Sequence, residues 1–170
     1  MTAIKFETRR DNLADRVTCT RPRILIVDDE PDILELLDIG LSGAGFEVHG
    51  ASTATEFLSK YAQIEPDLCV VDVTLPDVSG FALVEKLRQG GDIGIVVLTG
   101  RGSDTDHVRG RDLGADDYIT KPFRIRDVAA RLHAVLQHRA LQAQDAADRA
   151  IGFAGADAPV SAALRRAKST

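Results

Sequence analysis

Short continuous apolar runs alternate along this chain with stretches in which apolar residues recur every three or four positions. From Arg23 the chain reads RILIVDD, a buried strand closed by two acids. EPDILELLDIGLSGAGF follows, with Pro31 suited to a first helical turn, a stripe of Ile33, Leu36, Leu37, Leu41 and Ala44, and Gly45 as the stop. FEVHGA is a short alternating strand. TATE (53–56) is a capping-box candidate, opening a helix with Ala54, Phe57, Leu58 and Tyr61 on one face. DLCVVD is a second buried strand, and GFALVEKLRQ a helix with Gly80, Leu83, Val84 and Leu87 in register. GIVVLTG is another buried strand. SDTDHVRGRDL is a poor helix, because Gly110 interrupts it and its stripe is little more than Val108 and Leu113. ADDYIT is the fifth strand. FRIRDVAARLHAVLQHR then carries Ile125, Val128, Ala129, Leu132, Val135 and Leu136, a strongly amphipathic helix.

A strand–helix unit thus occurs five times. Continuous apolar strands between amphipathic helices imply an α/β fold whose parallel sheet is covered on both faces. Right-handed crossovers leave few topologies. The natural one is a doubly wound, five-stranded sheet in the flavodoxin-like order 2-1-3-4-5, with function gathered beyond the carboxyl ends of its strands.

The ends of the chain read differently. Residues 1–22 are polar, mixed in charge and without period, and are expected to form a flexible extension. Residues 140–170 form an Ala-rich linker or tail without a complete effector domain. Within it, 140–151 continue the last helix or form a helical linker, IGFAG (151–155) faintly resembles an opening strand, and RRAK (165–168) is a small basic cluster that suits a solvated tail.

Composition narrows the function classes. The 170 residues carry a net charge of −5, which argues against a whole-surface nucleic-acid binder. Cys19 and Cys69 form no CxxC, and Cys69 sits in an apolar run as a buried thiol. Apolar runs end at six residues, too short for a membrane span, and the N-terminus lacks a signal-peptide apolar region, so a cytoplasmic protein without membrane attachment is expected.

The chemistry lies at the strand ends. Asp28 and Asp29 close the first strand, Asp72 the third and Thr99 the fourth, and Lys121 follows the fifth. Taken singly, each has an ordinary explanation as a helix cap or turn residue. Together they mark one crevice at one sheet edge. Three neighbouring carboxylates repel and call for a compensating cation. Oxygen ligands without a His or Cys cluster point to Mg²⁺ rather than zinc. Beside such an ion, a lysine and a hydroxyl, Asp72 can attack a phosphoryl group and become an aspartyl phosphate. Mg²⁺ and Lys121 would neutralise the equatorial oxygens, Thr99 would hydrogen-bond one of them, and Gly100 leaves room for the group to enter.

ILIVDDEP (24–31), VVDVTLPDVSG (70–80), VVLTGR (96–101) and GADDYITKPF (114–123) occur in this order and spacing. On these motifs, residues 23–139 resemble the receiver domain of two-component response regulators. The resemblance implies Asp72 as phosphoacceptor, Asp29 and Asp72 as direct Mg²⁺ ligands, Asp28 acting through water, and the Thr74 backbone carbonyl as a further ligand. It implies Thr99 and Lys121 as the pair gripping the phosphoryl oxygens, Tyr118 as the switch aromatic, and a cis bond before Pro122. It further implies a sensor histidine kinase as phosphodonor, docked on the first helix and the loop after the fifth strand.

GADDYITKPF with an Arg-bearing last helix resembles the winged-helix transcription factor subfamily. There, activation pairs two receivers through the fourth helix, fifth strand and fifth helix. Asp116, Asp117 and Arg131 match that face, and His107 falls where a basic residue is expected, with Asp127 as its acidic partner. Histidine is charged only below about pH 6.5 unless a partner holds its proton. With His107 and His138 in such places, a weaker or more pH-sensitive homodimer is implied. DNA would be reached only through an effector domain not present in this chain.

Three other readings meet obstacles in the sequence. Haloacid-dehalogenase-like phosphatases need a second aspartate two residues after the nucleophile, where this chain has Thr74. Nucleotide binding would need GxGxxG or GxxxxGK[ST] after the first strand, and neither is there. A degenerate receiver, folded but never phosphorylated, would act as a constitutive binding module, and the intact residue set argues against it. The expectation is therefore a phosphorylation-dependent signalling switch in transcription control, not a metabolic enzyme.

Overall fold

The computed structural model describes residues 21–100 and 114–154, with side chains described to residue 150. Five strands form one sheet: β1 (Arg23–Val27), β2 (Glu47–Ala51), β3 (Leu68–Asp72), β4 (Gly94–Thr99) and β5 (Asp117–Thr120). Their order is β2-β1-β3-β4-β5, and every pairing is parallel, as expected of this doubly wound sheet. Register places Val27 beside Val71, Asp72 beside Leu98 and Thr99 beside Thr120, so the carboxyl ends of β1, β3, β4 and β5 align at one edge.

The helices are α1 (Pro31–Gly43), α2 (Ala54–Ile64), α3 (Gly80–Gly90) and a long C-terminal α4 (Ile125–Ala154). The weak helix expected over 103–113, with His107, lies outside the described residues.

Why the strands read as unbroken apolar runs is now plain. Ile24, Ile26, Val70, Val96 and Leu98 face one core with Leu37, Leu41, Phe46, Val128 and Leu132 of the α1/α4 layer. Their alternates Leu25, Val27, Cys69, Val71, Ile95 and Val97 face another with Phe57, Leu83, Val84 and Leu87 of the α2/α3 layer. Every residue of the interior strands β3 and β4 is buried, whereas edge strand β2 alternates only loosely. Burial holds the Cys69 thiol well above its ordinary pKa, so it is an inert core side chain.

Three local expectations need correction. Leu36 is 47% exposed and Ala44 is the exposed C-cap beyond α1, so the stripe runs through Ile33, Leu34, Leu37 and Leu41 instead. Gly45 does supply the stop, at φ +98°. In the capping box, Thr53 Oγ1 accepts from Glu56 N, but Glu56 reaches back to Ser52 N and Oγ rather than to Thr53 N. Finally, the last helix runs to Ala154, so residues 151–154 are helical where a strand was foreshadowed. None of the described helices is long and apolar enough to cross a membrane.

Candidate functional site

Each strand of the interior delivers one polar group to the carboxyl edge. Asp28 (0% exposed), Asp72 (3%) and Thr99 (4%) are the buried polar residues of the described core, all at strand ends. Asp29, one residue beyond Asp28, is exposed. Carboxylate oxygens of Asp28, Asp29 and Asp72 all lie within 4.8 Å of one another.

Lys121 reaches this group from beyond β5. Its Nζ lies 2.7 Å from Asp28 Oδ2, 3.0 Å from Asp72 Oδ2 and 3.0 Å from Glu30 Oε1. The peptide bond that follows, Lys121–Pro122, is cis as expected. Lys121 N donates to Thr99 O at 2.7 Å, tying the lysine to the end of β4. Burial pulls the Lys121 pKa down, but hydrogen bonds to Asp28, Asp72 and Glu30 outweigh it and hold the ammonium above its ordinary value. Burial pushes the Asp28 pKa up, helped by the Asp72 charge. Lys121 and the Glu30 amide only partly oppose this.

Both oxygens of Asp72 are engaged. Oδ1 accepts from Thr74 N at 3.2 Å, and Oδ2 from Lys121 Nζ. Asp28 Oδ1 accepts from Glu30 N at 3.0 Å. Asp28 Oδ2 is buried and is met by the Lys121 ammonium at 2.7 Å. Three carboxylates gathered beside the Lys121 ammonium, offering oxygen donors only, fit a hard divalent cation.

The loop from β3 to α3 is held close by Gly80. Its N donates to Val73 O at 2.9 Å, and a Cβ there would overlap the Asp72 backbone carbonyl and lie 2.8 Å from Val73 Cα. Only glycine permits that approach, so the requirement is steric and sits next to the acceptor residue. At Gly100 an added Cβ would meet no atom of the described residues within 4 Å. The Thr99 hydroxyl donates to Gly100 O at 3.2 Å. Tyr118 is half-buried against the α2/α3 core, with its phenolic oxygen buried.

Residues of the expected dimer face make ion pairs within the chain. Arg131 Nη1 pairs with Asp117 at 2.7 and 2.9 Å within the same chain. Asp116 does not wait for a partner copy. Its carboxylate accepts from Arg88 Nη2 (2.6 Å), Arg139 Nη1 (2.9 Å) and Ile95 N (2.7 Å). Asp116, an exposed residue, thus ties α3 and α4 to the amino ends of β4 and β5 within one chain. Asp127 is exposed at the first turn of α4, while its expected partner His107 lies outside the described residues. Sequence reasoning missed two residues. Glu30, the third acid of DDE, shares Lys121, and that acid run was a visible signal. Asp77 ties the β3–α3 loop to α2 with no local signal at all.

Comparison with known proteins agrees with this geometry. Residues 24–133 match the family model of the response regulator receiver domain. The chain is 41% identical over 119 residues to the DNA-binding dual master transcriptional regulator RpaA of Synechocystis, covering 68% of this chain and 49% of that protein. It is 38% identical over 140 residues to the transcriptional regulatory protein PrrA of Mycobacterium leprae, covering 81% and 60%. It therefore spans about half the length of such curated relatives. Among solved structures, a CheY-like response regulator receiver domain protein of Methanospirillum hungatei matches with TM-score 0.66 at 36% identity, over 72% of this chain and 99% of that one. A response regulator of Chloroflexus aurantiacus matches with TM-score 0.65 at 32% identity, over 69% and 99%.

Proposed function

This chain belongs to the response regulator receiver domain family, and on that premise we propose that it is a phosphorylation-dependent switch whose acceptor is Asp72. The observation that carries the reading is the buried carboxylate of Asp72, met by Lys121 on one oxygen and by Thr74 N on the other, with Asp28 and Asp29 beside it. Asp72 attacks the phosphorus of a phosphohistidine on a sensor kinase. The new P–O bond forms as the P–N bond breaks, and the histidine departs with its electron pair. Lys121 balances charge on the transferred oxygens, and the Thr99 hydroxyl turns from Gly100 O to donate to one of them. Asp28, Asp29, Asp72 and the Thr74 carbonyl would hold Mg²⁺, which when bound offsets the charge repulsion between acceptor and phosphoryl group.

Thr99 reorientation opens space towards which Tyr118 moves. The face bearing Asp116, Asp117, Arg131 and Asp127, with His107, then pairs two copies. Pairing across a two-fold axis requires Arg131 to exchange its own Asp117 for the partner's, so the net gain per pair is small. Output through DNA belongs to a segment other than this receiver; RpaA is by name a DNA-binding transcriptional regulator and PrrA a transcriptional regulatory protein. We place it in the cytoplasm and class it as a switch that modifies itself rather than as a metabolic enzyme. The domain bounds we propose are 23–139 for the receiver, with flanking segments 1–22 and 140–170.

Incubation with Mg²⁺ and acetyl phosphate, followed by intact mass measurement, tests the reading. A gain of one phosphoryl group is expected in the parent and none in Asp72→Ala. No gain in the parent while Mg²⁺ binds would instead identify a constitutive binding module.

A further inference from the structure

The loop between β3 and α3 carries Thr74 and ends on Gly80. Its backbone is pinned at both ends, by Val73 N on Leu98 O (3.0 Å) and by Gly80 N on Val73 O (2.9 Å). Between those pins stands Asp77, which is exposed and touches neither Asp72 nor Lys121. Its Oδ1 accepts from Ala54 N at 3.0 Å, and its Oδ2 accepts from Thr55 N and Thr55 Oγ1, both at 3.0 Å. Helix α2 starts at Ala54, so Asp77 satisfies its first two amides while Thr53 Oγ1 satisfies the third, that of Glu56. The division of labour matters. Thr53 caps the helix from its own segment, whereas Asp77 caps it from a loop 22 and 23 residues away, and so fastens that loop to the helix. The amides of Ala54 and Thr55 hold the Asp77 carboxyl below its ordinary pKa, keeping it charged as a tether.

We propose that Asp77 is a positioning residue for the phosphorylation site. By tying the loop to α2, it fixes the Thr74 amide on Asp72 Oδ1 and so sets how the acceptor carboxylate is turned. This rests on the reading of Asp72 as acceptor and of the acid cluster as the metal site. Removing the tether frees the loop at its middle, and Thr74 then holds Asp72 only part of the time. The cation site loses order with it, as it does when groups behind a metal ligand are removed.

Asp77→Ala is compared with Thr53→Ala, which removes a cap from the same helix without touching the loop. Three quantities are read on the full chain: amide exchange at Thr74 in EDTA, Mg²⁺ affinity by calorimetry, and phosphorylation rate with acetyl phosphate at saturating Mg²⁺. In Asp77→Ala, Thr74 exchange is expected to rise and Mg²⁺ affinity to fall by about tenfold. Thr53→Ala is expected to keep both at parent values while losing stability to a similar degree. Asp77→Asn keeps one acceptor oxygen and is expected to fall between parent and alanine. Unchanged Thr74 exchange and Mg²⁺ affinity in Asp77→Ala, or equal changes in Thr53→Ala, would overturn the proposal. The exchange measurement needs neither metal nor phosphodonor. A parent that is never phosphorylated therefore defeats the function proposed above without deciding the role of Asp77.

Discussion

At the amino ends of β4 and β5, Arg88 and Arg139 face Asp116 and Asp92, two cations against two anions. At the carboxyl edge, Lys121 faces Asp28, Asp72 and Glu30, with Asp29 beside them. The first cluster closes on itself. The Asp116 carboxylate collects two guanidinium groups and a backbone amide, and Arg88 also donates to Gly114 O and Ile93 O. Asp92, 93% exposed, adds little to it. The second cluster holds acids in excess, with Asp28, Asp72 and Glu30 around the Lys121 ammonium and Asp29 beside them. Two gatherings of charge at opposite ends of one sheet thus do different things. Balance joins α3, α4 and the sheet, whereas imbalance leaves a demand for a cation and a reactive carboxylate.

The sharpest way to break this contrast is at Gly80, where steric closeness rather than charge shapes the carboxyl edge. Gly80→Ala forces a methyl into the Asp72 carbonyl and is expected to cost about 3 kcal/mol in urea unfolding and to slow phosphorylation at Asp72. A neutral outcome would show that the loop yields freely. Next comes Asp116→Ala, which removes the acceptor of Arg88 Nη2, Arg139 Nη1 and the Ile95 amide. A loss of about 2 kcal/mol is expected, with phosphorylation intact where the variant is folded. If phosphorylation fell in proportion, the two edges would not be independent.

A smaller effect of opposite sign is expected from Asp28→Asn, because Lys121 keeps Asp72 and Glu30. In EDTA the variant is expected to be more stable than the parent at neutral pH. Asp28 holds its proton more tightly folded than unfolded, so its ionisation opposes folding. The parent's Asp28 contribution falls as pH rises from the ordinary 3.8 towards the raised folded value, and stays low above it. Denaturation across pH should show that slope flattened in Asp28→Asn. An identical slope in both proteins would remove Asp28 as its source.

The same contrast explains what could be read from the sequence. Period and order revealed the sheet, because each interior strand feeds two cores and so shows as an unbroken apolar run. The carboxyl-edge residues were visible because topology places strand ends together whatever their separation along the chain. The opposite edge was opaque. Asp116 finds Arg88 and Arg139 across 28 and 23 residues, and no local pattern joins them. Asp77 was hidden for the same reason. Leu36 fitted a helical stripe by spacing, yet lies where α1 turns away from the sheet, which periodicity alone does not fix.

One measurement bears on the contrast most directly: calorimetric titration of Mg²⁺ into the parent, Asp29→Ala and Asp116→Ala. One ion per chain is expected for the parent and for Asp116→Ala, with affinity strongly reduced in Asp29→Ala. No binding by the parent, or affinity lost alike in both variants, would contradict the assignment of the cation to the carboxyl edge.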